Sequence, residues 1–174
     1  FSPRLSTERE RIAGLVNDGE VLINMFGGVG MFSLLAAKNT ACTVYNIDIN
    51  PVASQLCKEN AQINKLKGEV ISLNGNATKV IDEQLTGKAD RVLMLLPERS
   101  DEFLDSALSS LKNRGIIHYY SHMHADKKQD APRLSEEHFM SVNKTNAEII
   151  TSRNVRPVGP RFYQTVVDVK ISKD

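Results

Sequence analysis

The chain of 174 residues has only two cysteines, Cys42 and Cys57. They lack the close spacing and the His or Cys neighbours of a zinc site, and two thiols cannot staple a domain of this size. A reduced, cytoplasmic protein is the expectation. Long apolar runs are also missing. The longest, around Gly27–Ala37, falls far short of the roughly 18 residues that cross a bilayer, so no membrane partner is expected. Charge of one sign is missing too. Lys and Arg number 22 against 21 Asp and Glu, for a net charge of +1, so any nucleic-acid contact must come from local basic patches rather than a whole-chain field. Repeats and low-complexity runs are absent, which excludes solenoids and arrays. No feature points to an obligatory protein partner.

What is present is ordinary globular composition, 41% hydrophobic and 25% charged, arranged as alternating strand and helix patterns. Thr7, with Glu10 three residues on, reads as a capping box opening a helix whose apolar face is Ile12, Leu15 and Val16. Short apolar runs at Glu20–Met25, Thr43–Ile47, Glu69–Leu73, Arg91–Leu96 and Ile116–Tyr120 read as strands. Helices are predicted between them at Met31–Lys38, Pro51–Asn64, Lys79–Leu85 and Ser100–Lys112. His122–Arg133 reads as a polar loop and Glu136–Val142 as a helix. Glu148–Ser152 and Tyr163–Ile171 read as the last strands. The alternation predicts an α/β, Rossmann-like doubly wound, mostly parallel sheet with helices on both faces and a C-terminal antiparallel edge hairpin.

One loop carries chemistry. The run Met25-Phe26-Gly27-Gly28-Val29-Gly30 joins a strand to a helix, where glycines allow backbone amides and a helix N-terminus to approach a ligand. Its spacing departs from the dinucleotide fingerprint, since the third glycine would fall at Ser33. Asp48 closes the second strand, where a carboxylate accepts hydrogen bonds from ribose hydroxyls; the bland alternative is that it caps the helix begun by Asn50-Pro51. Asn76, after the third strand, offers an acceptor for an adenine amino group. Together these favour a nucleoside-containing cofactor, and a nicotinamide-dependent oxidoreductase stands as the rival reading.

These residues resemble the class I S-adenosylmethionine-dependent methyltransferases, and among them the archaeal and eukaryotic tRNA (guanine(37)-N1)-methyltransferase family. The resemblance rests on Phe1-Ser2-Pro3-Arg4 with Thr7-Glu8-Arg9-Glu10-Arg11-Ile12, on the glycine loop, and on Asp48-Ile49-Asn50-Pro51 with Asn60 and Asn64-Lys65-Leu66. It continues through Asp90–Met94, Leu96-Pro97 with Glu102-Phe103-Leu104, Gly115–Tyr120, and Val155-Arg156 with Pro160-Arg161. It implies that Arg9, Phe26, Gly27, Gly28, Gly30, Asp48, Ile49, Asn76, Ala77 and Leu95 surround S-adenosylmethionine. It further implies that Glu8 is the general base for guanine N1, with Arg4 or Arg9 near O6, and that the tRNA anticodon region is the partner. For Glu8 the alternative is a first-turn helix acid, and for Arg9 and Arg11 a solvated face.

The chain departs from that family at three points. Asn24 and Asn76 stand where acids are usual, and Leu95 stands where an Asn precedes Leu-Pro. A sister family of wybutosine synthesis transfers the aminocarboxypropyl group of the same cofactor. It usually has Glu at the position of Asp48 and Gly-Tyr at Leu95-Leu96, so the methyltransferase reading is preferred, with a non-catalytic RNA-binding relative as a further alternative. The resemblance also presents residues 1–174 as a catalytic domain whose recognition region lies upstream of Phe1. Tyr120 is a candidate for stacking on a base, and His122 and His124 are expected in a solvated loop. Arg4, Arg11, Arg153, Arg156 and Arg161 are candidates for a phosphate-binding strip.

Overall fold

The structure is a computed structural model that describes residues 3–174; Phe1 and Ser2 of the N-terminal motif lie outside them. Seven strands form one sheet in the order β3-β2-β1-β4-β5-β7-β6. They are β1 (Val21–Asn24), β2 (Thr43–Asp48), β3 (Glu69–Asn74), β4 (Ala89–Met94), β5 (Leu111–His124), β6 (Asn146–Gly159) and β7 (Phe162–Ser172). The first five pair in parallel, and β7 runs antiparallel between β5 and β6. The fold is the expected mostly parallel sheet with its antiparallel C-terminal hairpin.

Among the described residues six α-helices and a short 3-10 turn at Lys128–Asp130 complete it: α1 (Pro3–Leu15), α2 (Met31–Asn39), α3 (Pro51–Ile63), α4 (Ala77–Val80, running on as a π turn over Ile81–Leu85), α5 (Ser100–Ser110) and α6 (Ala131–Val142). One face of the sheet, through Leu22, Val44, Leu93, Tyr120 and Val166, packs on Ile12 of α1, on Val16 just beyond its end, and on Phe32 and Ala36 of α2. The other face, through Ile23, Val92, Ile117, Tyr119 and Val167, packs on α4, α5 and α6. Alternation along each strand sends its neighbours to opposite faces. His118, Tyr120 and Asp168 therefore lie on the α1 face, and Tyr119 lies on the face of Phe139, whose ring it meets edge-on.

Several boundaries differ from the sequence reading. α1 begins at Pro3, a residue suited to a first turn because it has no N–H to leave unpaired. Thr7 is thus one turn inside the helix, so the Thr7–Glu10 capping box does not form. β5 is far longer than Ile116–Tyr120, taking in Arg114-Gly115 and His122–His124, because each of these residues pairs across to β7. β6 likewise extends to Gly159 along β7, which leaves Pro160-Arg161 as a tight turn with Arg161 at φ 52. α6 starts at Ala131 rather than Glu136, with Pro132 in its first turn. No helix among the described residues is long and apolar enough to cross a membrane.

Candidate active site

The sheet order reverses between β1 and β4, so the carboxyl ends of these strands flank a crevice of the kind in which open α/β folds place ligands. Met25–Gly30 leaves β1 there, and Leu95–Pro97 leaves β4. The glycine loop is shaped from beneath by a buried polar knot. Ser33 donates to Asn46 Oδ1 at 2.7 Å, Asn24 Nδ2 donates to Ser33 Oγ at 3.1 Å, and Asn46 Nδ2 donates to the Gly28 carbonyl at 3.2 Å. Gly27 sits so close that a Cβ there would stand 1.9 Å from Asn46 Oδ1. Gly30, at φ 95, begins α2 in the left-handed region, and a Cβ would meet Cys57 Sγ at 2.7 Å. Both cysteines are buried and unbonded, and burial raises both thiols above their ordinary pKa.

Asp48 accepts from the backbone N–H of Gly28 through Oδ2 and of Asn50 through Oδ1, each at 2.9 Å. It ties the loop to the end of β2 and keeps one acceptor position on each oxygen. The helix α3 is capped instead by Asn50, whose side chain accepts from Val52 and Ala53. Next to Asp48, Ile49 is 71% exposed, an apolar side chain standing at the ligand edge. Asn76 is exposed and accepts from the Lys79 N–H, so it caps α4, with Ala77 buried behind it. The Asn24 Oδ1 atom is buried without a hydrogen-bond partner. Leu95 packs on the cluster of Ile12, Phe32, Leu93, Tyr120 and Val166.

Around α1 the sequence reading and the structure part company. Glu8 is only 2% exposed. Arg11 grips it through Nε to Oε1 at 3.0 Å and Nη2 to Oε2 at 2.8 Å, and Tyr120 donates its hydroxyl to Oε2. Arg11 also donates Nη1 to Asp168 Oδ2 at 2.6 Å. Asp168 lies 2.7 Å from His118 Nδ1, and the other ring nitrogen lies 2.8 Å from Arg91 Nη1. Arg91 is bound in turn by Glu20 at 2.9 Å. A guanidinium cannot accept, so His118 Nε2 must be bare and Nδ1 must carry the proton given to Asp168: the imidazole is neutral.

Thus Arg11 is locked in a buried ion pair, and neither a solvated face nor a phosphate strip describes it. Tyr120 is fully buried and cannot stack on a base. Of the remaining arginines, Arg4 and Arg153 share a cavity of about 180 Å³ with Thr7, Glu8 and Val155. Arg153 Nη1 stands 3.8 Å from Glu8 Oε1. Arg156 donates to Gln164, and Arg161 pairs with Asp126 at the hairpin turn, so the expected strip is split. Arg9 donates to Ser6 at 2.9 Å and does not line the Glu8 cavity. His122 and His124 are on β5, the latter stacked on Phe162 with centroids 4.1 Å apart. They line an open cavity of about 670 Å³ with Pro97, Arg99 and His138.

The network's protonation follows from its geometry. Burial opposes the charge of Arg11, but hydrogen bonds from it to Glu8 and Asp168 outweigh this and hold it above its ordinary pKa. Burial likewise pushes Asp168 up, yet the bonds from His118 and Arg11 win and bring it from 3.8 down to about 2. For His118, burial dominates and lowers it below 6.5 despite Asp168. Burial and the Glu8 charge raise Tyr120, so it remains a donor. Both His118 and Asp168 bind protons less readily when folded, so both contribute stability that is lost in acid. The His118 share is complete above pH 6.5 and fades as pH falls below it; the Asp168 share fades from 3.8 toward about 2. Replacing His118 by Gln, which can still donate to Asp168 and accept from Arg91, is expected to flatten the fall of melting temperature between pH 7.5 and 5. An unchanged slope would place the acid sensitivity elsewhere.

Sequence reasoning passed over Asp168 and Glu20, and used His118 and Arg91 only as positions in the family motifs. The signal was a single Asp or His inside an apolar strand, as in Val166-Val167-Asp168-Val169, since a polar group buried there must be paired.

Comparison with known proteins gives a consistent picture. The profile of the TRM5/TYW2 methyltransferase domain matches residues 1–150. The Pyrococcus abyssi tRNA (guanine(37)-N(1))-methyltransferase Trm5b is 37% identical, over 99% of this chain and 50% of its own. The Saccharolobus solfataricus tRNA 4-demethylwyosine(37)-methyltransferase Taw21 is 39% identical, over 98% and 62%. A Methanocaldococcus jannaschii tRNA(Phe) (4-demethylwyosine(37)-C(7)) aminocarboxypropyltransferase is 31% identical, over 95% and 66%. The crystal structure of P. abyssi Trm5b superposes with a TM-score of 0.84 at 35% identity, over 99% of this chain and 50% of that one. M. jannaschii TYW2 in complex with AdoMet superposes at 0.81 and 30%, over 100% and 78%. The chain spans about half the length of the Trm5b relatives it matches.

Proposed function

Because the chain belongs to the TRM5/TYW2 methyltransferase domain family, we propose that it transfers a methyl group from S-adenosylmethionine to N1 of guanine 37 in tRNA, acting in the cytoplasm, with residues 1–174 as the catalytic domain. The observation that carries the reading is the Met25–Gly30 loop at the switch point with Asp48 beside it, in a chain 37% identical to a tRNA (guanine(37)-N(1))-methyltransferase.

The residues fit the cofactor. Asp48 has an acceptor position open on each oxygen for the ribose hydroxyls, and exposed Ile49 offers an apolar cover for adenine. Gly27, Gly28 and Gly30 bring the backbone close, with Phe26 and Leu95 at the crevice walls, and Asn76 with Ala77 borders the adenine end. The orphaned acceptor Asn24 Oδ1 beneath the loop suits a ligand that brings donors. S-adenosylmethionine supplies an electrophilic methyl group on sulfur. The protein's part is to hold guanine in line with it and to take the N1 proton, for which Glu8 is the base. Arg4 and Arg153 line one cavity with Glu8, which supports reading them as the cations that bear on O6, where negative charge develops as that proton leaves. Arg9, on the same helix, stands near the cofactor in this reading.

A second reading is aminocarboxypropyl transfer. It is favoured by the 31% identical aminocarboxypropyltransferase. Methyltransferases at 37% and 39% identity favour the first. Mass spectrometry of a tRNA incubated with the full-length protein and S-adenosylmethionine separates them. One added methyl at guanine 37 is the expected result, and a larger addition supports the second reading. A methyl gained only on tRNA that already carries 4-demethylwyosine moves the target to that base, and no addition at all sinks both.

A further inference from the structure

We infer that Asp168 and His118 are positioning residues that orient Glu8 through Arg11, leaving its Oε1 oxygen as the atom open to a substrate proton. The inference rests on the reading of Glu8 as the base. Glu8 and Arg11 are one turn apart on α1, and His118 faces Asp168 directly across the β5–β7 ladder. The helix, strands β7, β5 and β4, and Glu20 just before β1 are thus joined by side chains whose charges alternate: Glu8, Arg11, Asp168, neutral His118, Arg91, Glu20.

Counting acceptors shows what this does to Glu8. Oε2 receives both Arg11 Nη2 and the Tyr120 hydroxyl, which fills its two lone pairs. Oε1 receives Arg11 Nε alone, so one lone pair remains. That oxygen is the one facing Arg153 at 3.8 Å, and both residues line the cavity shared with Arg4 and Thr7. The guanidinium of Arg11 is a rigid planar fork. Glu8 holds one edge, Asp168 holds the other through Nη1 and more weakly through Nη2 at 3.3 Å, and the His118–Arg91 pair fixes Asp168 from behind. Glu8 therefore cannot rotate without turning Arg11 off Asp168. The groups that set the field at Glu8 are Arg4 and Arg11 from α1, Tyr120 from β5, Arg153 from β6 and Asp168 from β7.

Two substitutions of unchanged shape should push Glu8 in opposite directions. Asp168→Asn removes a negative charge that shares Arg11, so the cation acts on Glu8 undivided and the acid limb of the kcat–pH profile moves to lower pH. Tyr120→Phe removes a donor to Oε2, so the limb moves to higher pH. In both, kcat falls, by up to about 100-fold if Glu8 shifts by an ångström, while KM for tRNA and for S-adenosylmethionine is unchanged. A network that served stability alone would lower the melting temperature and leave kcat on the alkaline plateau of the profile unchanged.

The experiment measures these profiles in the full-length protein, beside Glu8→Gln. It adds a ¹³C NMR titration of glutamate carboxylates, with the Glu8 signal assigned by its loss in Glu8→Gln. If Glu8→Gln is inactive while the profiles and midpoint of Glu8 in both variants stay unmoved, the positioning inference is overturned. If Glu8→Gln retains full kcat, the role of Glu8 and this inference fall together. A wild-type protein that transfers nothing to tRNA overturns the proposed function, and the titration then decides alone: opposite movements of the Glu8 midpoint support the inference, and a fixed one overturns it. Tyr120→Phe loses a single hydroxyl and keeps the test available if Asp168→Asn does not fold.

Discussion

Replacing Arg11 by Met is expected to destabilise the protein by about 3–5 kcal/mol, the usual cost of removing one partner from a buried ion pair. Methionine restores much of the stem volume but none of the donors. Glu8 and Asp168, whose side chains are 3% and 4% exposed, would then face each other as buried carboxylates without a cation between them. In such a pocket burial and mutual repulsion favour the protonated forms, raising their folded proton affinity above the unfolded one. A group raised in this way contributes its stability at low pH and loses it as pH rises. The Arg11→Met penalty should therefore be largest near neutrality and shrink toward pH 4. Urea unfolding across that range checks both points. Adding Glu8→Gln and Asp168→Asn, which discharges the stranded carboxylates, should recover most of the loss. A penalty under about 1 kcal/mol would mean that the pair behaves like a solvated surface ion pair.

Gly27→Ala is the second change with a large expected effect. Its Cβ would stand 1.9 Å from Oδ1 and 2.3 Å from Cγ of Asn46, a side chain buried beneath the loop and held by Ser33 and the Gly28 carbonyl. Either Asn46 leaves its place or the loop rises. Overpacking of this kind costs about 1–3 kcal/mol, and a raised loop no longer presents its amides to the crevice. Binding of S-adenosylhomocysteine, read by calorimetry, should weaken by at least about tenfold, equivalent to about 1.4 kcal/mol. Adding Asn46→Ala removes the obstructing atoms and should return part of the folding stability. Unaltered binding by a folded Gly27→Ala variant would mean that the ligand does not depend on this loop.

Much of this was legible in the residues themselves. Strands β1, β2 and β4 announce themselves as short apolar runs because both faces of the parallel sheet are covered there. Met25–Gly30 and Asp48 stand out because close backbone approach to a ligand needs glycine and because a carboxylate at a strand end suits ribose. Other features were hidden for identifiable reasons. Thr7 and Glu10 match a capping box by spacing, but the packing of α1 on α2 and the sheet extends the helix back to Pro3. Asn76 reads from the sequence as a ligand-side acceptor, and what the sequence hid is that one lone pair of its oxygen takes the Lys79 N–H and caps α4. The polar run His122–His124 reads as loop until β7 is laid beside it, since a strand edge paired with a distant strand carries no local mark of that pairing.

By itself the amino-acid sequence determined the fold class, the crevice loop, Asp48 and the family, all of which depend on local patterns or on an ordered set of short motifs. Only the tertiary structure decided how Glu8, Arg11, Tyr120, His118 and Asp168 are paired. Glu8 and Asp168 are 160 residues apart, and nothing in either neighbourhood specifies the other. They meet because α1 lies on the face of the sheet to which alternation along β5 and β7 turns His118, Tyr120 and Asp168. Once that face is covered, water can no longer satisfy their charges, and each polar group must be paired by another from a different element.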